Sequence, residues 1–316
     1  MAVLMPQALT DLNQIRELQS PSATFPSGDS DLYISLINSV TQFCLTRTRR
    51  RYFKYKVISP EYHDGLGKDS VIVHHAPVIT LTAVYDSIDR QFDSDSLLDF
   101  TSDPYNDEVE LVEPYKQIIR RLGAYFGNGQ GNVRLDYTAG YSTFVVMAGV
   151  NDRIVFTDDI GQQTATLTEA EYNAVTLATE VQTKMDAASD NTITCSYSQV
   201  SHRFSFGSNG TTFSLHSNTG GDRTKQLVMI MGFSPLADLS GDTIYYGDYP
   251  ALGQPEDLVD VANELVLWFY EQRRERRSGK FSVSTDGPGT SSMSFDYTNI
   301  PNSILSRLEP YEGIQI

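Results

Sequence analysis

The spacing of apolar and polar residues divides the chain into a helical opening, a run of strands, and a helical return near the end. Leu9, Leu12, Ile15 and Leu18 stand near helical spacing and predict a short amphipathic helix over residues 8–19; a Ser/Pro/Gly-rich break follows, from Ser20 to Gly28. A second helix is predicted from a cap at Asp29 or Ser30, with Leu32, Ile34, Leu36, Ile37, Val40, Phe43 and Cys44 on one broad apolar face. It ends in Arg47, Arg49, Arg50 and Arg51, cations that suit the negative end of a helix dipole. Strand signals come next: Tyr52–Ser59, a turn at Asp64-Gly65-Leu66-Gly67, Ser70–His74, and Val78–Tyr85, where Val78, Thr80, Thr82 and Val84 alternate against Ile79, Leu81, Ala83 and Tyr85. Residues 86–107 are acidic and loop-like. Leu111–Leu122 predicts a strand running into a short helix, and Asn132–Thr138 a strand closed by Ala139-Gly140-Tyr141.

From about Thr143 to Tyr249 the chain becomes rich in Thr, Ser, Asn and Gly. Strands are predicted at Arg153–Thr157, Thr164–Thr168, Ile193–Val200, His202–Ser208 and Thr212–His216. A helix is predicted at Ala174–Ala188, with Val175, Leu177, Ala178, Val181 and Met185 on its apolar face, and a shorter one at Lys225–Met231. Pro255-Glu256-Asp257 then starts a long helix, with proline in the first turn and acids at the positive dipole end. Its stripe is Leu258, Val261, Ala262, Leu265, Val266, Phe269 and Tyr270, with Trp268 beside it. Arg273, Arg274, Arg276 and Arg277 fill its last turns before Gly279. Ser282–Ser294 reads as extended or flexible, and Ile300–Leu308 as a last short helix. The pattern as a whole is α+β: a helical core with a small antiparallel sheet, interrupted by a β-rich domain carrying one main helix. The expected parts are an N-terminal segment (1–28), a discontinuous core (29–142 plus 250–281), an inserted domain (143–249) and a C-terminal tail (282–316).

Composition narrows the function classes. The 316 residues are 40% hydrophobic and 20% charged, enough to bury a core without disulfide or metal staples. No stretch approaches the roughly 18 apolar residues of a membrane helix. The start of the chain lacks the basic flank and apolar run of a signal peptide, so the cytoplasm of the producing cell is the expected site of synthesis. Cys44 and Cys195 fall in different segments and are expected as buried free thiols. The net charge of −16 argues against a protein that grips nucleic acid, though an acidic wall would let DNA slide past. The 143–249 stretch has twelve acidic and five basic residues, a net −7.

Five blocks carry a family likeness. They are Asp31-Leu32-Tyr33-Ile34 through Phe43-Cys44 into Arg49-Arg50-Arg51-Tyr52-Phe53; Ala76-Pro77-Val78-Ile79 to Val84-Tyr85-Asp86; Asn132-Val133-Arg134-Leu135-Asp136-Tyr137-Thr138-Ala139-Gly140-Tyr141; Pro255-Glu256-Asp257-Leu258 through Phe269-Tyr270 to Gly279; and Ile300-Pro301, Ile304-Leu305, Leu308, Pro310-Tyr311. In this order they resemble the head-to-tail connector adaptors of tailed bacteriophages, over roughly residues 29–142 and 253–311. Those relatives have only a short link where this chain carries residues 142–254. The inserted stretch is itself similar to a β-rich module of phage structural proteins, through Asn151-Asp152-Arg153-Ile154, Thr164-Ala165-Thr166-Leu167, Leu177-Ala178-Thr179-Glu180-Val181-Gln182 and Met231-Gly232-Phe233.

The resemblance implies a virion protein of the neck: a homo-oligomeric, typically twelvefold ring below the portal protein. Such a ring extends the DNA conduit without sequence-specific binding and offers a platform to tail or neck proteins (stopper, tail tube or nozzle). It implies no enzymatic activity, no cofactor and no membrane partner. Arg47, Arg49, Arg50, Arg51, Arg273, Arg274, Arg276 and Arg277 are the expected contacts to the neighbouring subunit or portal, since arginine forks suit acidic partners; solvated helix ends and DNA-backbone contact are the alternatives. In the tail, Met293, Phe295 and Tyr297 alternate with polar residues, as strand addition to a portal sheet requires.

Other chemistry is weakly marked. Gly127-Asn128-Gly129-Gln130-Gly131 leads into a strand rather than opening a helix and is expected as a flexible turn, not a phosphate loop. His63-Asp64 and His74-His75 flank one turn and are metal-ligand types, but adjacent strand residues point to opposite faces, so at most one of His74 and His75 faces His63; no metal site is expected. Asp93, Asp95 and Asp99 lack the glycine and terminal glutamate of a calcium loop. Asn209-Gly210-Thr211 is expected as a turn, and no Gly-x-Ser-x-Gly elbow occurs. Two rival readings stay open. In one, the insert is a binding module for host glycan or a fibre or spike protein, using Tyr245, Tyr246 and Tyr249. In the other, the chain is a neck-associated hydrolase.

Overall fold

The computed structural model describes residues 2–19, 29–50, 53–98, 108–112, 116–141, 143–274, 283–285, 291–293 and 300–313. Contacts divide the chain into two compact units: residues 1–44 with 142–310, and residues 45–141 with 311–316. The expected 29–142 plus 250–281 core is distributed over both. Secondary structure is α+β, with six α-helices and several small antiparallel sheets among the described residues.

Helix α1 (Leu12–Gln19) starts later than its apolar spacing predicts, because the Asp11 carboxylate caps it, accepting from the amides of Asn13 (2.7 Å) and Gln14 (3.1 Å). Leu9, Leu12 and Ile15 are buried. Leu18, about 120° round the helix from Leu12, is exposed rather than part of the apolar face. Helix α2 (Asp29–Thr48) matches expectation in extent. Its buried stripe is Tyr33, Leu36, Ile37, Val40, Thr41, Cys44, Leu45 and Thr48, a three/four spacing that takes in Tyr33 and leaves Leu32, Ile34 and Phe43 only half-buried.

The second unit is built from β1 (Lys56–Leu66), β2 (Ser70–Ile72), β3 (Val78–Asp86), β4 (Val109–Val112), β5 (Ile118–Arg121) and β6 (Asn128–Ala139), in two antiparallel sheets ordered β1-β6-β3 and β2-β5-β4. Three expectations are corrected here. The turn expected at Asp64–Gly67 begins only after Leu66, because β1 keeps pairing with β6 to its end. Leu111–Leu122 forms a hairpin, not a strand and helix, since Leu111, Ile118 and Ile119 pair across β4 and β5. The glycine run is strand: Asn128 and Gly129 pair with Leu66 and Gly65. What orders it is a polar knot. Asn132 accepts from the Gly65 amide (2.7 Å) and donates to Gly127 O (3.0 Å). The Asp86 carboxylate accepts from the Gly127 amide (2.9 Å) and pairs with Arg121. In β3, bulges between Val78 and Thr80 and between Leu81 and Ala83 break the simple alternation, so adjacent Ala83 and Val84 are both buried while Ile79 is exposed.

In the first unit, β7 (Phe144–Val146), β8 (Arg153–Asp158), β9 (Gly161–Thr166), β10 (Ala170–Tyr172), α3 (Ala174–Ala188), β11 (Ile193–Ser198), β12 (Arg203–Ser208), β13 (Ser214–Leu215), α4 (Asp222–Ile230), β14 (Leu239–Ser240) and β15 (Ile244–Tyr246) follow the expected β-rich order. The sheets run β14-β13-β8-β9, β11-β12-β15 and β10-β7. Helix α3 lies against β9 and β11. It begins where its sequence predicts because Asn173 and Thr176 form a capping box: Asn173 Oδ1 accepts from the amides of Val175 and Thr176, and Thr176 Oγ1 accepts from the Asn173 amide. Leu177, Ala178, Val181 and Met185 are buried; Val175, expected on that face, is exposed in the first turn. One apolar cluster, from Phe144 to Ala251, draws only on this stretch.

The chain then forms α5 (Glu256–Arg274), with Leu258, Val261, Ala262, Leu265, Val266 and Phe269 buried as expected. Tyr270 stacks on Tyr33 at 4.5 Å between ring centroids, and its hydroxyl donates to Asp29 (3.2 Å). Part of the tail is a ribbon of β16 (Val283–Thr285) and β17 (Ser291–Met293), within the stretch expected to be extended or flexible. Helix α6 (Asn302–Leu305) runs into a 3₁₀ segment, Ser306–Tyr311. Cys44 and Cys195 are buried and form no disulfide, and burial pushes both thiols up, Cys44 to about 12.

Gly65 tests the ordered glycine run. A Cβ there would lie 1.8 Å from Gly127 O, a backbone atom that cannot swing away. Gly65→Ala is expected to destabilise the protein by about 2–4 kcal/mol, read as a lowered midpoint in urea unfolding.

Candidate functional site

The densest group of chemically versatile side chains lies in the second unit, on β1 and the segment joining β2 to β3. Glu61 and His63 are two residues apart on one strand and so share a face. His63 Nε2 is 2.6 Å from Glu61 Oε1. An ionised carboxylate only accepts, so Nε2 carries the proton of that bond. His74 follows β2; its amide donates to the same oxygen (3.0 Å), and its Nδ1 lies 3.2 Å from it. The two imidazoles stack at 4.7 Å, with planes 14° apart. On the other side, the Tyr137 hydroxyl of β6 donates to Glu61 Oε2 (2.7 Å), and His75 Nε2 stands 3.9 Å from that oxygen. The Glu61 side chain is 8% exposed, His63 11% and His74 36%, so the group is buried at its base and reachable at His74. Burial pushes the Glu61 pKa up, but hydrogen bonds from His63, the His74 amide and Tyr137 outweigh it and hold the carboxyl at about 2.

His74, not His75, is the member of the adjacent pair that stacks on His63; the two lie in a bend after β2 rather than in a strand, so the opposite-face argument does not apply, and both approach Glu61. Asp64 is not their carboxylate; it accepts instead from the Gly131 amide (2.7 Å). Glu61 was missed because β1 was expected to stop at Ser59. Extending the strand to Leu66 would have shown Glu-x-His as a same-face pair.

The arginines divide. Arg47 pairs with Glu312 (2.9 Å), and Arg50 donates through Nε to Tyr311 O, its guanidinium 5.6 Å from the Tyr141 ring centroid. Burial lowers the Arg50 pKa, with the Tyr141 interaction opposing. Both are therefore engaged within their own unit. Arg49 and Arg273 are exposed, and Arg274 closes α5. Arg51, Arg276, Arg277, Phe295 and Tyr297 lie outside the described residues; the Met293 backbone pairs with Val283 in the ribbon.

The insert holds a Thr–His–Asp chain. His216 Nε2 is 2.7 Å from Thr157 Oγ1, and its Nδ1 is 3.2 Å from Asp238 Oδ2. It has the order of a nucleophile triad but the surroundings of a clamp. Thr157 sits in β8 between paired neighbours on β9 and β13, so nearby amides serve the ladder instead of an oxyanion hole. Asp238 also accepts from the amides of Asn218 (2.7 Å) and Thr219 (2.9 Å) and from the Thr219 hydroxyl. Of the three tyrosines considered for glycan contact, Tyr246 is exposed, Tyr249 is half-buried, and Tyr245 is buried with its hydroxyl on Phe213 O (2.7 Å).

Among the described residues no helix is long and apolar enough to cross a membrane. No known family model matches the chain, and no curated protein matches it significantly.

The Asp238 clamp has a pH signature. Burial raises its pKa, but the Thr219 hydroxyl, the two amides and His216 prevail and bring it to about 2 from 3.8. A depressed folded pKa contributes stability above the unfolded value, and that contribution is lost as pH falls from about 4 through about 2. Discounted for partial exposure, the carboxylate contributes about 1–2 kcal/mol. Asp238→Asn is expected to lower urea-unfolding stability by that amount near neutral pH, with the gap to wild type closing only below about pH 4. A gap that widens on acidification would contradict the assignment.

Proposed function

We propose that the chain is a structural head-to-tail adaptor of a tailed phage, located in the virion neck and made in the host cytoplasm. It forms a homo-oligomeric ring below the portal protein, extends the DNA conduit and presents a platform for tail or neck proteins. The observation that carries this reading is the ordered set of sequence blocks in residues 29–142 and 253–311. Two structural features support it. The helices α2 and α5, more than two hundred residues apart in sequence, pack through Tyr33 and Tyr270, while residues 144–251 close an apolar cluster of their own. The two helices and the inserted stretch thus each have apolar contacts of their own, as an insertion at a loop allows.

The ribbon β16–β17 also fits. Three paired residues on each side are fewer than a free hairpin needs for stability, and among the described residues no third strand joins them. A portal sheet would supply one by strand addition. Arg47 and Arg50 already have intrachain partners, which a contact to subunit or portal would have to accommodate.

The test is co-assembly with the portal protein of the same phage. Mass photometry is expected to show a portal-dependent ring of about twelve chains of 35.2 kDa each, and cryo-EM a ring beneath the portal. Charge reversal at Arg273 and Arg277 is expected to weaken assembly roughly tenfold or more. A chain that stays monomeric with portal present and is missing from purified virions would end the adaptor reading.

A further inference from the structure

We propose that Glu61, His63 and His74 form a binding site for a divalent transition-metal ion of the zinc class, independent of any ring assembly. Each residue offers one ligand atom, and the three atoms lie within 4.8 Å of one another. A tetrahedral zinc ion has bonds of about 2.0–2.2 Å to nitrogen and carboxylate oxygen, which separates its ligands by about 3.3 Å. Glu61 Oε1 and His74 Nδ1 already stand at that spacing, 3.2 Å apart. Glu61 Oε1 and His63 Nε2 are closer, at 2.6 Å, because a proton lies between them. Metal binding displaces that proton: it moves to Nδ1 through solvent, so the imidazole stays neutral and Nε2 is free for the ion, the pair opens by about 0.7 Å, and the two rings, stacked with planes 14° apart, turn so that both lone pairs meet the ion.

The surroundings favour a cation. Tyr137, 1% exposed, holds Oε2 with its hydroxyl and leaves Oε1 facing the imidazoles, the outer-shell arrangement that orients a ligating carboxylate. The carboxylate is buried, and a divalent ion would offset its desolvation more fully than neutral imidazoles do. His74 is the exposed member, so an ion has a path in and a water can complete four-coordination. Two nitrogens and one oxygen select zinc or its borderline neighbours over magnesium and calcium, which take oxygen ligands. The ion would bridge β1 to the β2–β3 connection.

Two features kept the site hidden in the sequence. Its carboxylate precedes the first histidine by two residues on a strand, and its second histidine arrives from eleven residues further on, across the Gly67–Asp69 turn.

The test uses the full chain, stripped with chelator and titrated with zinc near neutral pH by calorimetry. One ion per chain is expected, with Kd at or below about 1 µM, undisturbed by excess magnesium. Cobalt in its place should give the visible d–d absorption of a tetrahedral site. His63→Ala and His74→Ala are each expected to weaken zinc roughly a hundredfold or more, and Tyr137→Phe about tenfold, with circular dichroism unchanged. Asp95→Asn, on the exposed acidic loop, should leave affinity as it was. The thermal midpoint should rise with zinc in the wild type and not in His74→Ala. Absence of stoichiometric zinc in the wild type, its displacement by magnesium, or full affinity in His74→Ala would overturn the site.

Discussion

The second unit depends on the register of its central strand. Residues Asn128–Ala139 pair with β1 on one side and β3 on the other, so a one-residue slip in either ladder would turn a set of core side chains outward. The ladders are not uniform. On β1, irregularities between Ile58 and Glu61 and between His63 and Gly65 isolate three residues, Glu61 to His63, opposite Leu135, Arg134 and Val133. This short register turns Glu61 and His63 to the same side and brings Glu61 within reach of Tyr137 on β6. Strand pairing sets the Glu61–His63 half of the candidate site, and the connection between β2 and β3 brings His74 to it.

Several buried acids show how differently the chain satisfies negative charge. Asp152 is met by the Arg223 guanidinium, and Asp86 by Arg121 with the Gly127 amide. A guanidinium stays charged at all relevant pH, so these two acids carry a permanent countercharge. Glu61 is met by imidazoles, a phenol and an amide, groups that satisfy its lone pairs as hydrogen bonds without a fixed positive charge. Of these three acids, Glu61 is the one with imidazole nitrogens beside it, which is what the proposed cation site draws on, while Asp86 and Asp152 serve as clamps of the fold.

Legibility in the sequence tracked how local the determining interaction is. Helix α3 could be read to the residue because Asn173 and Thr176 fix its start and a three/four apolar stripe fixes its face. Helix α5 was equally plain from Pro255-Glu256-Asp257 and its stripe. The misread strands and turns share one cause: a partner distant in sequence. Gly127–Gly131 looks like a flexible turn until Asn132 and Asp86, dozens of residues apart, take up its backbone groups. The β4–β5 hairpin lies in a stretch whose apolar spacing suits helix as well as strand, and only cross-strand pairing decides. Two bulges in β3 broke an alternation that looked clean. The histidine cluster was half legible: His63 and the His74-His75 pair stood out as flanking one turn, but the pair lies in a bend rather than a strand, and the carboxylate needed the true length of β1.

The same distinction bears on the arginines. In sequence, both clusters are alike: basic residues at the end of a long amphipathic helix. In the structure Arg47 and Arg50 are held by residues of their own chain more than 250 positions away, Glu312 and the Tyr311 carbonyl. A guanidinium has five donors and can keep an intrachain partner while meeting another, but Arg50 is half-buried and its Nη1 is shielded from solvent. The C-terminal segment and the end of α2 therefore act on one another first. In the adaptor reading, Arg47 and Arg50 tie the chain end to the end of α2 before they contribute to any outside contact. The ribbon has three residue pairs, so in that reading an added strand would strengthen it.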